Sequence, residues 1–360
     1  MSAAAVRLPP WSWIAPLAGC AALALAARIE VPVLVLALTL AGCVLAAVHH
    51  AEVIAHKVGE PFGSLVLALA VTVIEVALIV SLMVSGGEAT EALARDTIFA
   101  AVMIILNGMV GLCLLVGGVR HREQEFGTRG VSSTLAVLAA LAVLTLILPN
   151  YTTSVAGPYY SAAQLVAVAL VSLVLYATFV LVQTVRHRDY FLPKGPAATD
   201  TESHAPHPSG RTTAASALLL LVSLCAVVLL AKGIAPTLES AVAAAGAPKA
   251  VVGVIIAALV LLPEGLAAVR AARANRLQSS LNLALGSALA SIGLTIPAVA
   301  VVSLVLGWNL VLGLDGKSTV LLALSLLVAT SSLSTGRTTV LQGAVHLVIF
   351  AVYLVTTILP

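Results

Sequence analysis

The chain has 360 residues, of which 61% are hydrophobic and only 9% charged. A soluble globular domain carries roughly 25% charged residues, so the solvent for most of this chain is lipid rather than water. The net charge of +3, with no basic cluster interleaved with aromatics, excludes nucleic acid as a partner.

A membrane-spanning helix needs roughly 20 mainly apolar residues. Eleven such segments follow one another along the chain: 12–28, 31–49, 63–86, 97–118, 131–149, 160–184, 213–234, 247–269, 279–306, 318–334 and 338–358. The first begins near Trp11 and is followed at once by the second, which reads as a span rather than a cleaved leader. The four cysteines, Cys20, Cys43, Cys113 and Cys225, sit inside apolar runs without CxxC or Cys/His spacing, so neither a zinc site nor a disulfide framework is expected.

The second span ends in HHAEVIAHK. There His49, Glu52 and His56 fall at i, i+3 and i+7, on one helical face. That spacing suits a cytoplasmic pH sensor or a cation entry funnel, and also a plain interfacial polar cap. It is not the HExxH of a zinc protease. No nucleophile–base pair suggests an intramembrane enzyme either.

The third span, GSLVLALAVTVIEVALIV, carries Glu75 at its centre. Thirteen of the fifteen acidic residues fall in loops or at span ends; Glu75 and Glu264 do not. A carboxylate at mid-membrane costs at least ~2.5 kcal/mol, so it marks function by default. Ser64, Ala68, Thr72 and Glu75 share one small, polar helical face. The fourth span holds Asn107, with Gly108 and Gly111, and we expect Asn107 as a further polar contributor. After the sixth span, residues 186–211 (RHRDYFLPKGPAATDTESHAPHPSGR) read as a disordered linker.

The eighth span carries Pro263–Glu264. Proline lacks an N–H and leaves the carbonyl of Leu259 unpaired, which lipid tolerates only where that group is buried or faces a polar cavity. Gly253, Ala257, Leu261, Glu264 and Ala268 again form a small face around the carboxylate. In the ninth span Ser280, Ala284, Ser287, Ser291 and Thr295 recur every three or four residues as a stripe of small and hydroxyl side chains. His346, in the last span, is the one basic side chain whose position suits a pairing with a deep glutamate.

With the N-terminus on the cytoplasmic side, 13 of the 18 Lys and Arg residues fall inside and 5 outside. By the positive-inside rule this orients the chain and puts the C-terminus outside, as expected for a multi-pass protein of the inner (plasma) membrane. The two glutamate spans then run in opposite directions, each followed by a span with polar or glycine positions. That is the pattern of an inverted repeat. The expected organisation is an extra helix (1–30), a first five-helix repeat (31–185), the linker (186–211) and a second five-helix repeat (212–360).

GEPFGSLVLALAVTVIEVALI and LPEGLAAVRAARANRLQSSLNLALGSALASIGLTIPAV resemble the first and second alpha-repeats of bacterial Cha-type calcium/proton antiporters, within the cation/calcium exchanger superfamily. The resemblance aligns Glu75 and Glu264 with that superfamily's repeat glutamates. Thr72 and Leu261 stand where an Asn or Thr is usual, so Leu261 removes one side-chain ligand. It implies an all-α fold and secondary antiport of calcium, or of sodium or potassium, against protons. Residues alone support a cation or proton transporter, and leave a channel open.

Calcium takes 6–8 oxygen ligands at roughly 2.3–2.6 Å. Glu75, Glu264, the hydroxyls of Thr72, Ser287 and Ser291, the amide of Asn107, carbonyls near Pro263 and water would supply them. Facing carboxylates at low dielectric favour protonation, so cation and protons would exclude each other. The expectation needs no bound cofactor: calcium and protons are cargo, and the other partner is membrane lipid.

Overall fold

A computed structural model describes residues 8–59, 62–86, 91–192 and 208–359. Eleven helices account for nearly all of them. In chain order they are α1 (Pro10–Ala26), α2 (Val33–Val58), α3 (Phe62–Gly86), α4 (Leu93–His121), α5 (Thr128–Tyr151), α6 (Ala162–Arg186), α7 (Gly210–Ala244), α8 (Ala250–Arg273), α9 (Leu277–Leu306), α10 (Gly316–Ser332) and α11 (Val340–Ile358). Eight are long and apolar enough to cross a membrane, and three shorter apolar stretches lie in α1, α3 and α10. Each falls on one of the eleven segments read from hydropathy.

Local sequence sets the helix ends. Ser161 caps α6 in a reciprocal box with Gln164, Thr339 caps α11 the same way with Gln342, and Asp315 accepts from the Ser318 amide at the start of α10. α9 ends at Gly307, whose φ of 70° is left-handed and suits glycine. Neither Pro263 in α8 nor Pro236 in α7 breaks its helix. α7 therefore runs ten residues past the expected span, to Ala244. The irregularities lie elsewhere: π turns at Ile104–Met109 in α4, Val143–Ile147 in α5 and Val182–Arg186 in α6, and a break at Leu294 in α9.

The helices sort into two compact units that interleave along the chain. One comprises Met1–Ser85 with Thr201–Ala245, the other Gly86–Asp200 with Gly246–Pro360. Each takes segments from both sequence halves, so packing partitions the chain differently from the repeats.

In the first unit α2 and α7 pack along each other and α1 lies against both. In the second, α4 is the most enclosed of the membrane-length helices: 78% of its apolar window is buried, against 22% for α6. α4 packs on α8, α9 and α11, and α9 on α5, α6 and α8. A short two-stranded pairing, Gln124–Glu125 with Arg337–Thr338, ties the α4–α5 turn to the α10–α11 turn. Residues 308–315, before α10, form an irregular segment rather than a helix.

The start of the expected linker is ordered. Phe191 is buried edge-on against Phe179 with ring centroids 5.9 Å apart, and its carbonyl accepts from Asn282 Nδ2 at 2.6 Å. Tyr190 lies under the Arg129 guanidinium. Residues 193–207 of that linker lie outside the described ones.

Candidate functional site

In the first unit, α3 buries one face and exposes the other. Val71, Thr72, Ile74, Glu75, Leu78, Ile79, Leu82 and Met83 are buried, whereas Leu69, Val73 and Val84 are exposed. This is the i, i+3, i+4, i+7 spacing of a helix with one enclosed side. Glu75 is 6% exposed and Thr72 4%, so the polar residues share the enclosed side and do not face lipid. The side chains of Ser64 and Ala68, expected on the same face, lie outside the described ones.

In the second unit, Glu264 is 7% exposed. Its helix α8 buries Gly253, Ala257, Val260, Leu261 and Ala268 and exposes Ile255, Leu262 and Leu266. The Glu264 carboxylate accepts a hydrogen bond from Ser287 Oγ on α9 at 2.5 Å. Ser287 thus faces α8, and Ser280, Ser291 and Thr295 of the same stripe are each buried. Close approach is supplied by glycines. A Cβ at Gly253 would stand 3.3 Å from the α4 backbone at Asp96 and Thr97, and one at Gly265 would stand 3.5 Å from Met109 Cε.

Asn107 is fully buried in the π turn of α4. Its amide donates to Ser325 Oγ on α10 at 2.7 Å and its oxygen meets His346 Nδ1 on α11 at 3.2 Å. The other ring nitrogen of His346 meets Ser332 Oγ at 2.9 Å. His346 therefore spends both nitrogens on Asn107 and Ser332, and not on Glu264 as its position in the sequence suggested. Sequence reading did not find Ser325 or Ser332; both sit in an apolar helix, Ser325 lies 218 residues from Asn107, and Ser332 meets Asn107 only through His346.

The group at the end of α2 differs in exposure from member to member. His49 is half-buried against Trp11, with ring centroids 5.1 Å apart, while Glu52 and His56 are exposed. Among the described residues no three His, Cys, Asp or Glu side chains gather as metal ligands. The buried member is the neighbour, His50, which donates from Nε2 to the Ser12 carbonyl of α1 at 2.9 Å.

Against known proteins, the family described as sodium/calcium exchanger protein matches residues 31–185 and 215–359. The chain is 54% identical to y4hA of Sinorhizobium fredii, named as an ionic transporter, over 98% of this chain and 97% of that protein. It is 38% identical to the sodium-potassium/proton antiporter ChaA of Escherichia coli, covering 86% of this chain and 84% of that protein. Among solved structures, an H+/Ca2+ exchanger, CAX, superposes with a TM-score of 0.73 at 16% identity, covering 96% of this chain and 89% of that one. The Cha-type resemblance and the all-α exchanger-like fold hold, and the chain is a multi-pass membrane protein that belongs to the sodium/calcium exchanger family.

Proposed function

We propose that this chain is a secondary antiporter that moves calcium across a membrane against protons, with Glu75 and Glu264 alternately carrying cation and protons. The observation that carries the reading is that both deep carboxylates lie on enclosed faces of apolar helices, with a hydroxyl already directed at Glu264. Lipid-facing carboxylates would serve no such purpose. Hydroxyls of Thr72, Ser287 and Ser291 add oxygen donors suited to a hard cation. Asn107 acts from the helix wall through its hydrogen bonds to Ser325 and His346, and not as a direct cation ligand. Neutralising each carboxylate, by proton or by cation, removes the charge that otherwise opposes a change of access.

A second reading has its own support. The relative at 38% identity is named for sodium and potassium exchange, whereas a calcium/proton antiporter of Aphanothece halophytica is 27% identical. Leu261, which offers no oxygen where the family pattern has one, also suits a cation needing fewer ligands. Purified protein in vesicles with a trapped pH dye separates the readings: calcium, sodium and potassium are added in turn and proton movement is read. Glu75→Gln and Glu264→Gln should each abolish exchange. Full activity in both would end the proposal.

The distribution of Lys and Arg supports insertion in the inner (plasma) membrane with the N-terminus cytoplasmic and the C-terminus outside. A C-terminal reporter that fluoresces only in the cytoplasm should then stay dark. Lipid and the transported ions are the partners this activity requires, and no cofactor enters it.

A further inference from the structure

We propose that His346 is a positioning residue for Glu264, acting through the π turn of α4. The argument begins with hydrogen-bond direction. Ser325 Oγ lies 2.7 Å from the Leu321 carbonyl, which can only accept, so the hydroxyl proton points there. Its lone pair must then receive the Asn107 N–H at 2.7 Å. That fixes the amide, and leaves the Asn107 oxygen facing His346 Nδ1, which must carry a proton and donate. The Ser332 hydroxyl lies 2.9 Å from Nε2, nearer than its 3.4 Å to the Ala329 carbonyl, and donates to the ring. One directed chain, Ser332 to His346 to Asn107 to Ser325 to the Leu321 carbonyl, joins α11 and α10 to α4 in a place closed to water: His346, Asn107 and Ser325 are all 0% exposed.

What this chain holds is a helix irregularity. A π turn adds a residue to one turn and rotates everything beyond it by about 100° relative to a continuous α-helix. Asn107 sits within that turn, clamped from both ends of its amide. Two residues on, and so on roughly the opposite side of the helix, Met109 ends the π turn and is buried against Gly265, the residue after Glu264. Glycines fit the clamp closely. A Cβ at Gly108 would stand 3.3 Å from the Phe350 ring, and one at Gly111 would stand 2.9 Å from His346 Cβ. The α4 backbone is thus seated on α11 while its other side supports α8 beside the carboxylate. Letting the turn relax to α would rotate Met109 away from Gly265 and withdraw the wall that holds Glu264 toward Ser287.

The role asks of residue 346 a donor toward Asn107 and an acceptor toward Ser332, but no proton exchange. A glutamine offers both and does not titrate; a leucine offers neither. The inference rests on the exchange reading, and reconstituted vesicles test the two separately. Silence of the unmodified protein under every cation would sink the exchange reading itself. With that protein active, His346→Leu should raise the half-saturating cation concentration about tenfold, the scale seen when an outer support of a metal-binding group is removed. His346→Gln should recover most of the affinity with an unchanged pH profile. Asn107→Ala combined with His346→Ala should cost no more than the worse single change, because one chain is cut either way. Should His346→Leu fail to accumulate as a monodisperse protein, Met109→Ala is read in its place and should weaken cation affinity while leaving the maximal rate within about twofold. A shifted pH profile in His346→Gln would show that the ring carries protons itself and overturn the positioning role. Affinities equal to the unmodified protein in His346→Leu, or in Met109→Ala, would overturn it as well.

Discussion

The two compact units carry one deep glutamate each, yet they are fastened by different means. In the first, α1, α2 and α7 meet through small and apolar side chains, joined by bonds such as His50 to the Ser12 carbonyl and Cys43 Sγ to the Ala15 carbonyl at 3.4 Å. In the second, directed polar contacts cross several junctions. Besides the Asn107 chain, Gln124 Nε2 donates to the Ala272 carbonyl at 2.9 Å, Asn150 Nδ2 to the Leu314 carbonyl at 2.6 Å, and Gln278 Oε1 accepts from the Gly127 amide at 2.6 Å. Apolar contacts in lipid set no fixed register, because lipid tails are as apolar as the partner helix; hydrogen bonds do. Directed bonds thus hold the register of the second unit's helices, while small residues such as Gly19 let α1, α2 and α7 approach closely.

The sharpest way to break that contrast uses glycines. At Gly343 on α11 a Cβ would run into the backbone of Leu115, which cannot move without shifting α4. At Gly19 on α1 it would meet side-chain atoms, Cys43 Sγ at 2.5 Å and Ala226 Cβ at 3.2 Å, whose helices can part. Gly343→Ala should therefore cost about 1–3 kcal/mol, the range for overpacking, and Gly19→Ala distinctly less. Melting temperatures in detergent report both, and equal losses would erase the distinction.

A smaller effect is expected at the mouth of α10. Burial alone would raise the carboxyl of Asp315, but hydrogen bonds from Ser318 and the charges of Lys317 and Arg95 outweigh it and hold it below its ordinary 3.8. Asp315→Ala should cost about 1 kcal/mol as a lost helix cap. A carboxylate whose folded value is depressed stabilises above its unfolded value and loses that contribution as pH falls through the folded one. The gap between variant and parent should thus be full at neutral pH and close in strong acid. A gap that widens on acidification would contradict the cap.

Least of all should follow from Arg337, whose guanidinium meets Glu125 at 2.6 Å and Glu123 at 3.9 Å but is 65% exposed. Exposed pairs contribute about 0–1 kcal/mol, so Arg337→Ala should leave the melting temperature within a degree or two. A large drop would mean that the β-pairing beneath it, not buried hydrogen bonding, holds the second unit's turns.

How much of this was legible in the sequence follows from what each feature costs. Apolar runs long enough to cross a bilayer announce themselves, and all eleven helices lie where hydropathy put them. A lone carboxylate in such a run is expensive enough to single out Glu75 and Glu264, and both are buried. Asn107 stood out as the amide of its span, but its partners did not, because Ser325 and His346 come from helices more than 200 residues away. The π turn beneath it has no local signature in IILNGM. α8 runs through Pro263 as one helix, and α7 runs through Pro236 ten residues beyond the expected span. Tyr190 and Phe191 are aromatic residues in an otherwise polar run, and that was the signal that the linker's start would dock.

The segment between α9 and α10 carries a last consequence. It has no repeating structure, yet four consecutive amides are spoken for: Val311 donates to the Glu91 carbonyl at 3.3 Å, Leu312 and Gly313 to that of Pro158 at 3.1 Å, and Leu314 to that of Leu146 at 2.8 Å. Leu310, Val311, Leu312 and Leu314 are buried as deeply as any helical core. Irregular backbone survives beside hydrocarbon only when protein satisfies it in this way. In heavy water these four amides should be among the slowest in the chain to take up deuterium, behaving as interior although a ribbon drawing would show them as coil.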